Sequence, residues 1–553
     1  MKYSGAEIII KMLELHGIKI IAGIPGGANL PIYNALSKSR IRHILARHEQ
    51  GAGFIAHGIA RTSGRVAVCF ATSGPGATNL ITPIADAMLD SVPIIAITGQ
   101  VPTSQLGTDA FQEVDTYGLT IPITKHNYLI RSAEELLNAI PEAFKIAESG
   151  RKGPVVIDIP KDIQKQEIIV NKWPKRELLE CYKNTDTKEL SMIIDTINSA
   201  EKPVLYIGGG AVYSKASKQI MELAEKNSIP ITSSLMGLGC IPTEYPLFLG
   251  MLGMHGAKST NLILKEADVI LALGTRFDDR ATGKVSQFCN QAKIIHIDID
   301  NAEINKIKKA HFSLNCDLSI ALKMIIPNIR RSYRGNWISY VNALKNKYRL
   351  KNEKDSDLTD PIYLIRQIGN IVDSSTIITT DVGQHQMWVA QHYPFKKPKT
   401  FLTSGGLGTM GFGLPAAIGA ALANPNKKII CMSGDGSFFM NMQELATLSE
   451  NKLNIALIIF NNGHLGLVRQ QQEMFYNKNY IASKFDSITD FKAIAKGFGL
   501  RSFDLTGQFD SYMNLEKALK LDEPCIINAA INSNENVVPI VPPGAANHEM
   551  IGI

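Results

Sequence analysis

Apolar residues along this chain fall into short unbroken runs. IKIIAGI, RVAVCFAT, VPIIAITG and GPVVIDIP occupy the first third, PVLYIGGG, ADVILALGT and AKIIHIDID the middle, and STIITTDVG, KKIICMSGDG, NIALIIFNN and PCIINAAI the last. A continuous β-branched run marks a strand buried on both faces, as in a parallel sheet covered by helices. Helical segments separate the runs, so the pattern predicts an α/β protein of doubly wound layers with mainly parallel sheets. Two charged stretches, 164–189 and 330–360, read as linkers and divide the chain into 1–170, 188–330 and 360–540. The amino-terminal MKYSGAEIIIKMLELHG reads as an amphipathic helix without a cleavage signal.

Length agrees with this division, since 553 residues exceed one hydrophobic core and call for about three domains. With 45% apolar and 20% charged residues, the chain has the profile of a globular protein. The net charge of +7 is spread thinly, and no basic block interleaves with aromatics, which argues against a nucleic-acid partner. Seven cysteines (Cys69, Cys181, Cys240, Cys289, Cys316, Cys431 and Cys525) are scattered without a C-x-x-C, so reduced core thiols are expected. No apolar run approaches the roughly 20 residues needed to span a bilayer. The expectation is a soluble cytoplasmic protein without a membrane partner.

Two segments carry candidate chemistry. In ILARHEQGAGFIAHGIAR, Glu49 heads a helix too small and apolar to be a solvent face. An acid there suits the helix macrodipole and the free N–H groups of a first turn, and suits catalysis equally. The second segment holds a literal G-x-G-x-x-G, Gly406 to Gly411, which invites a dinucleotide reading with Asp435 as the ribose acid. Asp435, however, lies 29 residues past Gly406, where about 20 is expected, and is enclosed in the tight loop Gly434-Asp435-Gly436-Ser437. A metal-bridged diphosphate site fits better. Mg2+ takes one or two protein oxygens beside phosphate oxygens. Asp435 supplies one, and Asn462, at the end of the next strand, an amide oxygen; Asn461-Asn462-Gly463-His464 alone would be an ordinary turn.

GDGS followed by NN, together with GIPGGANLPIY, RHEQGAGFIAHGIAR, CFATSGPGATNL, AITGQVP, GTDAFQE, TKHNY, GPVVIDIPKD, GLGTMGFGLPAAIGA and GHLGLVRQ, resembles the large catalytic subunits of the acetohydroxyacid synthase (acetolactate synthase) family. The matching blocks span nearly the whole chain. The resemblance implies a pyrimidine-binding, a central FAD-binding and a diphosphate-binding domain, with thiamine diphosphate, Mg2+ and FAD as cofactors. It implies decarboxylation of pyruvate and ligation of the two-carbon unit to pyruvate or 2-ketobutyrate, the first common step of branched-chain amino-acid synthesis. The flavin performs no net redox step. A homodimer and a small regulatory subunit are implied as partners. Pyruvate oxidase, also a thiamine-diphosphate and FAD enzyme, is the rival within the superfamily, and a redox-active flavin would distinguish it. Glyoxylate carboligase lacks the glutamate that Glu49 provides.

Residue roles follow from the same resemblance. Glu49 hydrogen-bonds the cofactor's aminopyrimidine ring and drives the tautomer that activates the thiazolium carbon, reaching the cofactor held by the other subunit. Gly408 offers its carbonyl to the pyrimidine amine, and Met410 buttresses the bent cofactor. Gln384, His385, Gly434, Gly436 and Ser437 line the diphosphate; Asp435, Asn462 and His464 form the metal side. Gly27 and Gln112 face the developing oxyanion. Phe111 and Lys161 line the substrate channel, and Arg280 clamps the second keto acid's carboxylate. For FAD the resemblance implies Gly208, Gly209 and Gly210, then Gly253, Met254 and His255. Gly274, Arg276, Asp278 and Arg280 follow, with Arg151, Asp298 and Asp317 completing the set. Gln471 stands where members preferring 2-ketobutyrate carry tryptophan, which implies weak discrimination between acceptors.

Overall fold

The computed structural model describes residues 1–175, 187–348, 357–487, 489–506 and 510–552. Three six-stranded sheets succeed one another along the chain, each with every pairing parallel and helices on both faces. The first sheet runs, in spatial order, Arg42–Leu45, Ile20–Gly23, Ala67–Ala71, Ile94–Gln100, Val155–Pro160 and His126–Leu129. The second is centred on Pro203–Ile207, Val269–Leu273 and Lys293–Asp298, and the third on Ile377–Thr380, Ile429–Gly434 and Ile455–Asn461.

The unbroken apolar runs became the central strands, and Ala67–Ala71 and Ile94–Gln100 are buried at every position. The strands the pattern passes over are edge or short strands, such as His126–Leu129, Phe312–Asn315 and Arg501–Asp504. An edge strand has one neighbour and keeps polar side chains, which hides it from a search for apolar runs.

Both linkers hold more structure than their charge implies. Lys2–Ser4 pairs antiparallel with Glu167–Ile169, so the first helix begins only at Gly5, capped reciprocally by Ser4 and Glu7. Residues 335–347 form the helix Gly335–Lys347, docked by buried Trp337 and Val341; the Trp337 indole donates to the Pro203 carbonyl (3.1 Å). Two apolar residues four apart suffice to bury one face of an otherwise polar helix. The last residues turn back onto the middle unit, where the Asn547 amide donates to the Ala281 carbonyl (2.8 Å). Six cysteines are buried free thiols, while Cys181 lies outside the described residues. Among the described residues no helix is long and apolar enough to cross a membrane.

The first and third units meet where helix Glu49–Ser63 crosses helix Gly413–Ala423. A Cβ on Gly58 would stand 2.1 Å from the Ala416 carbonyl oxygen, and one on Gly419 2.0 Å from that of Ile55. Gly58→Ala gains about 1 kcal/mol of helix propensity but forces backbone apart at a packed crossing, costing about 1–3 kcal/mol. The clash is with backbone and cannot be relieved by rotation. The expected net effect is a lower denaturation midpoint, read by thermal melting.

Candidate active site

The carboxyl edge of the third sheet opens into a cleft. Its floor comes from the loops after three adjacent strands, and it contains Gln384, His385, Met410, Gly434, Asp435, Gly436, Ser437, Asn462 and His464. Ile429–Gly434 and Ile455–Asn461 are parallel neighbours with helix Glu444–Glu450 between them in sequence, so Asp435 and Asn462 emerge side by side. The loop amides aim the Asp435 carboxylate: Oδ1 accepts from Gly436 N (2.9 Å) and Oδ2 from Gly463 N (2.6 Å). Burial pushes this carboxyl up to about 6, against the pull of those amides. Such a group gains from a cation. Asn462 Oδ1 accepts from His464 N (3.0 Å), while its amide donates to Gln384 Oε1 (3.3 Å). Among the described residues no group of three His, Cys, Asp or Glu is placed to hold a metal. A Mg2+ completed by phosphate oxygens needs no such group.

His385 is buried, and desolvation holds its imidazole down to about 3, so the ring is neutral. Its Nε2 is buried without a protein partner. An unpaired polar atom in a cleft wall is costly unless a ligand meets it.

The G-x-G-x-x-G is a turn before helix Gly413–Ala423, held by carboxyl groups that the sequence did not single out. Asp381 accepts from Gly411 N (2.7 Å) and Gly413 N (3.3 Å), and burial pushes it up to about 7. Asp90, from the first unit, accepts from Gly405 N (3.0 Å) and Gly406 N (2.7 Å). Gly408 has φ +71° and open space around it, as a backbone presented to a ligand requires.

Glu49 begins helix Glu49–Ser63 and is 9% exposed. His48 Nδ1 caps the helix by accepting from Gln50 N (3.1 Å), so the macrodipole does not need Glu49 as its cap. The amide of Asn79 donates to Glu49 Oε2 (2.9 Å). Glu444, fully buried, accepts from Arg47 N (2.9 Å) and His48 N (3.1 Å), fixing the helix start from the third unit. Glu49 is not among the residues lining the cleft. Gly27 and Lys161 also follow strands of the first sheet. Open space surrounds the Gly27 α-carbon, and the Gln112 backbone, at φ 60°, packs against Gly74. Phe111 is 88% exposed.

Gly208, Gly253, Gly274, Arg276 and Asp317 follow strands of the second sheet at its carboxyl edge, and Asp298 ends one of them. Gly208 and Gly210 serve first the approach of two loops, since a Cβ on Gly210 would lie 2.7 Å from Gly274 Cα. Asp278 and Asp317 cap short helices through Ala281 N and through Ser319 N with Ile320 N. Burial pushes Asp298 up to about 6 and His255 down to about 4; His255 Nδ1 is buried without a partner. Arg151 pairs with Glu303 (2.8 Å) and Asp300 (3.4 Å), beside that edge. The Arg280 side chain is 70% exposed, with its guanidinium 3.8 Å from Asp279, and Gln471 is exposed on helix Gly466–Phe475.

Three family models match the chain: thiamine pyrophosphate enzyme, N-terminal TPP binding domain over residues 3–119, central domain over 190–325, and C-terminal TPP binding domain over 381–529. The acetolactate synthase isozyme 1 large subunit of Escherichia coli (strain K12) is 53% identical over 552 residues, covering 100% of this chain and 98% of the relative. The isozyme 2 large subunit of the same strain is 43% identical, with 99% of each chain covered. Chloroplastic acetolactate synthase 1 of Zea mays is 43% identical over 99% of this chain and 88% of its own.

Proposed function

The chain belongs to the acetolactate synthase large subunits among the thiamine pyrophosphate enzymes, and on that premise we propose how its residues divide the work. Pyruvate is decarboxylated and the remaining two-carbon unit is joined to a second 2-keto acid. One observation carries this reading: the cleft in which Asp435 and Asn462 emerge together beside an unpaired, neutral His385.

These residues fit Mg2+ and a diphosphate. Asp435 and the Asn462 amide oxygen are hard oxygen ligands, with His464 on the same loop. The neutral His385 ring and Ser437 hydroxyl supply hydrogen bonds to phosphate oxygens, with Gln384 and the Gly434 and Gly436 backbone around them. Thiamine diphosphate, when bound, supplies the carbon nucleophile and electron sink that no side chain provides. Glu49 holds and returns a proton at its carboxylate, kept dry by burial and oriented by Asn79. Gly408 and Met410 orient the cofactor from the turn. The Gly27 N–H and Gln112 face the substrate oxygen, Phe111 and Lys161 its channel, and the exposed Arg280 forks onto the acceptor's carboxylate.

FAD is placed along the carboxyl edge of the second sheet, where the unpaired His255 Nδ1 and the cation Arg276 suit a dinucleotide phosphate. Arg151 and Asp298 flank that edge, with Asp278, Asp317 and the glycines at its loops. The flavin has no net redox work in this reaction. The lining of the cleft comes wholly from the last third of the chain, which supports a homodimer in which Glu49 serves the cofactor of a second copy. The name "large subunit" carried by the bacterial relatives supports a small regulatory partner, and we place the protein in the cytoplasm.

The deciding experiment supplies purified protein with pyruvate, thiamine diphosphate, Mg2+ and FAD, with and without a small subunit. Acetolactate forms while flavin absorbance stays constant; bleaching of the flavin with each turnover would instead favour a pyruvate oxidase. Added 2-ketobutyrate is expected to compete only modestly, given glutamine at 471.

A further inference from the structure

The turn from Ser404 to Met410 is tied to helix Ile81–Asp90 of the first unit by two aspartates four residues apart. Asp90 receives the Arg61 guanidinium and the amides of Gly405 and Gly406. Asp86 Oδ2 accepts the hydroxyls of Ser404 and Thr409 (2.8 Å for the second), and the Ser404 hydroxyl in turn accepts Thr409 N (2.9 Å). Asp86 therefore closes the turn across its two ends. Leu407 and Gly408 stand exposed between them, and Met410 follows in the cleft wall.

The other face of Asp86 sees His57. His57 Nε2 lies 2.8 Å from the Pro83 carbonyl, which only accepts, so Nε2 carries the ring proton and a neutral ring presents a lone pair at Nδ1. Nδ1 and Asp86 Oδ1 are 3.9 Å apart, both buried and both without a hydrogen-bond partner. Two lone pairs facing each other in a dry site are unfavourable, and a proton on one of them turns the repulsion into attraction. We infer that Asp86 is a positioning residue for the Ser404–Met410 turn and acts as a protonated carboxyl, accepting two hydroxyls at Oδ2 and donating from Oδ1 toward His57 Nδ1. The inference rests on Gly408 and Met410 being thiamine-diphosphate contacts.

The surrounding charges agree. Burial and the Arg61 guanidinium hold the His57 imidazole down to about 3, so the proton does not sit on the ring. Burial and the neighbouring Asp90 push Asp86 up to about 7, with Arg61 and the two hydroxyls opposing. The remaining titratable group is Tyr213, half-buried beside Arg61 and Asp90, whose phenol desolvation keeps protonated. Arg61 is committed to Asp90 and to the Thr403 carbonyl (2.6 Å), so Asp86 has no cation of its own.

An amide imitates a protonated carboxyl: in Asp86→Asn the oxygen accepts the hydroxyls and the N–H faces His57. Asp86→Leu keeps the bulk and loses both functions. Thiamine diphosphate binding to the Mg2+-loaded full chain is followed by the fluorescence of Trp388 in the cleft wall, alongside kcat at saturating cofactor. Asp86→Asn is expected within about threefold of wild-type half-saturation and Asp86→Leu weaker by about tenfold or more, with kcat changing less than half-saturation. In the wild type, half-saturation rises as pH climbs through about 7 and the carboxyl ionises against His57; Asp86→Asn loses that part of the rise and keeps only what Asp381, also pushed up to about 7 where it holds Gly411, contributes. Equal damage from both variants, or none from leucine, overturns the inference while leaving the cofactor assignment standing. Wild-type protein whose fluorescence never responds to thiamine diphosphate overturns both. Should Asp86→Leu fail to fold, Thr409→Val removes one hydroxyl isosterically; weaker half-saturation supports the inference, and unchanged half-saturation overturns it.

Discussion

Glu49→Gln is expected to lower acetolactate formation by about a hundred- to ten-thousandfold at saturating cofactor, the range lost when a positioned acid–base group is removed. The fold should survive almost untouched. Glutamine has the same length, its side-chain oxygen can still accept the Asn79 amide, and the helix keeps its His48 cap. Losing a first-turn negative charge costs only about 0.3–1 kcal/mol through the macrodipole. The two explanations of this residue therefore separate cleanly. A helix-start carboxylate predicts a slightly lower melting temperature and intact turnover. A proton-holding carboxylate predicts the reverse, an almost unchanged melt and a collapse of rate. Initial rates and thermal melts on one preparation decide between them.

How much of this was legible in the sequence depends on the range over which each feature is specified. Strands such as Ala67–Ala71 announce themselves because burial on both faces leaves only apolar residues. The GDGS loop and Asn462 were legible because parallel neighbours place successive loops at one edge. Glu49 was conspicuous as the one acid heading an apolar helix. Its supports were not: Asn79 lies 30 residues away, and Glu444 almost 400 residues from the amides it receives. The same holds for Asp86, whose partners Ser404 and Thr409 belong to another unit. A signal was present, since two aspartates stand four apart on the apolar ITPIADAMLD with no base beside them in sequence. Acids placed so are kept for what they hold, and only the fold says what that is. The glycines at 208 and 210 are ambiguous in sequence, because a loop-to-loop approach asks for the same residue as a nucleotide does.

Asp435→Asn tests the metal side and, paired with Glu49→Gln, the architecture of the site. The amide keeps one acceptor for the loop N–H groups of Gly436 and Gly463 but brings no charge to a cation. Partners one shell beyond a metal ligand already cost about 10–100-fold in metal affinity, so loss of the ligand's charge should weaken Mg2+-dependent thiamine diphosphate binding by more than about a hundredfold. Titration of Trp388 fluorescence with and without Mg2+ reads this directly. The two defects can then be placed on different chains of one dimer, using separate affinity tags to isolate the mixed species. If Glu49 serves the cofactor of the second copy, one of the two symmetry-related sites carries both substitutions and the other carries neither. Mixed dimers then recover about half of the wild-type rate. If each chain completed its own site, every site in the mixed dimer would carry one lesion and the rate would stay at the level of the parents. The absence of Glu49 from its own chain's cleft leads us to expect recovery.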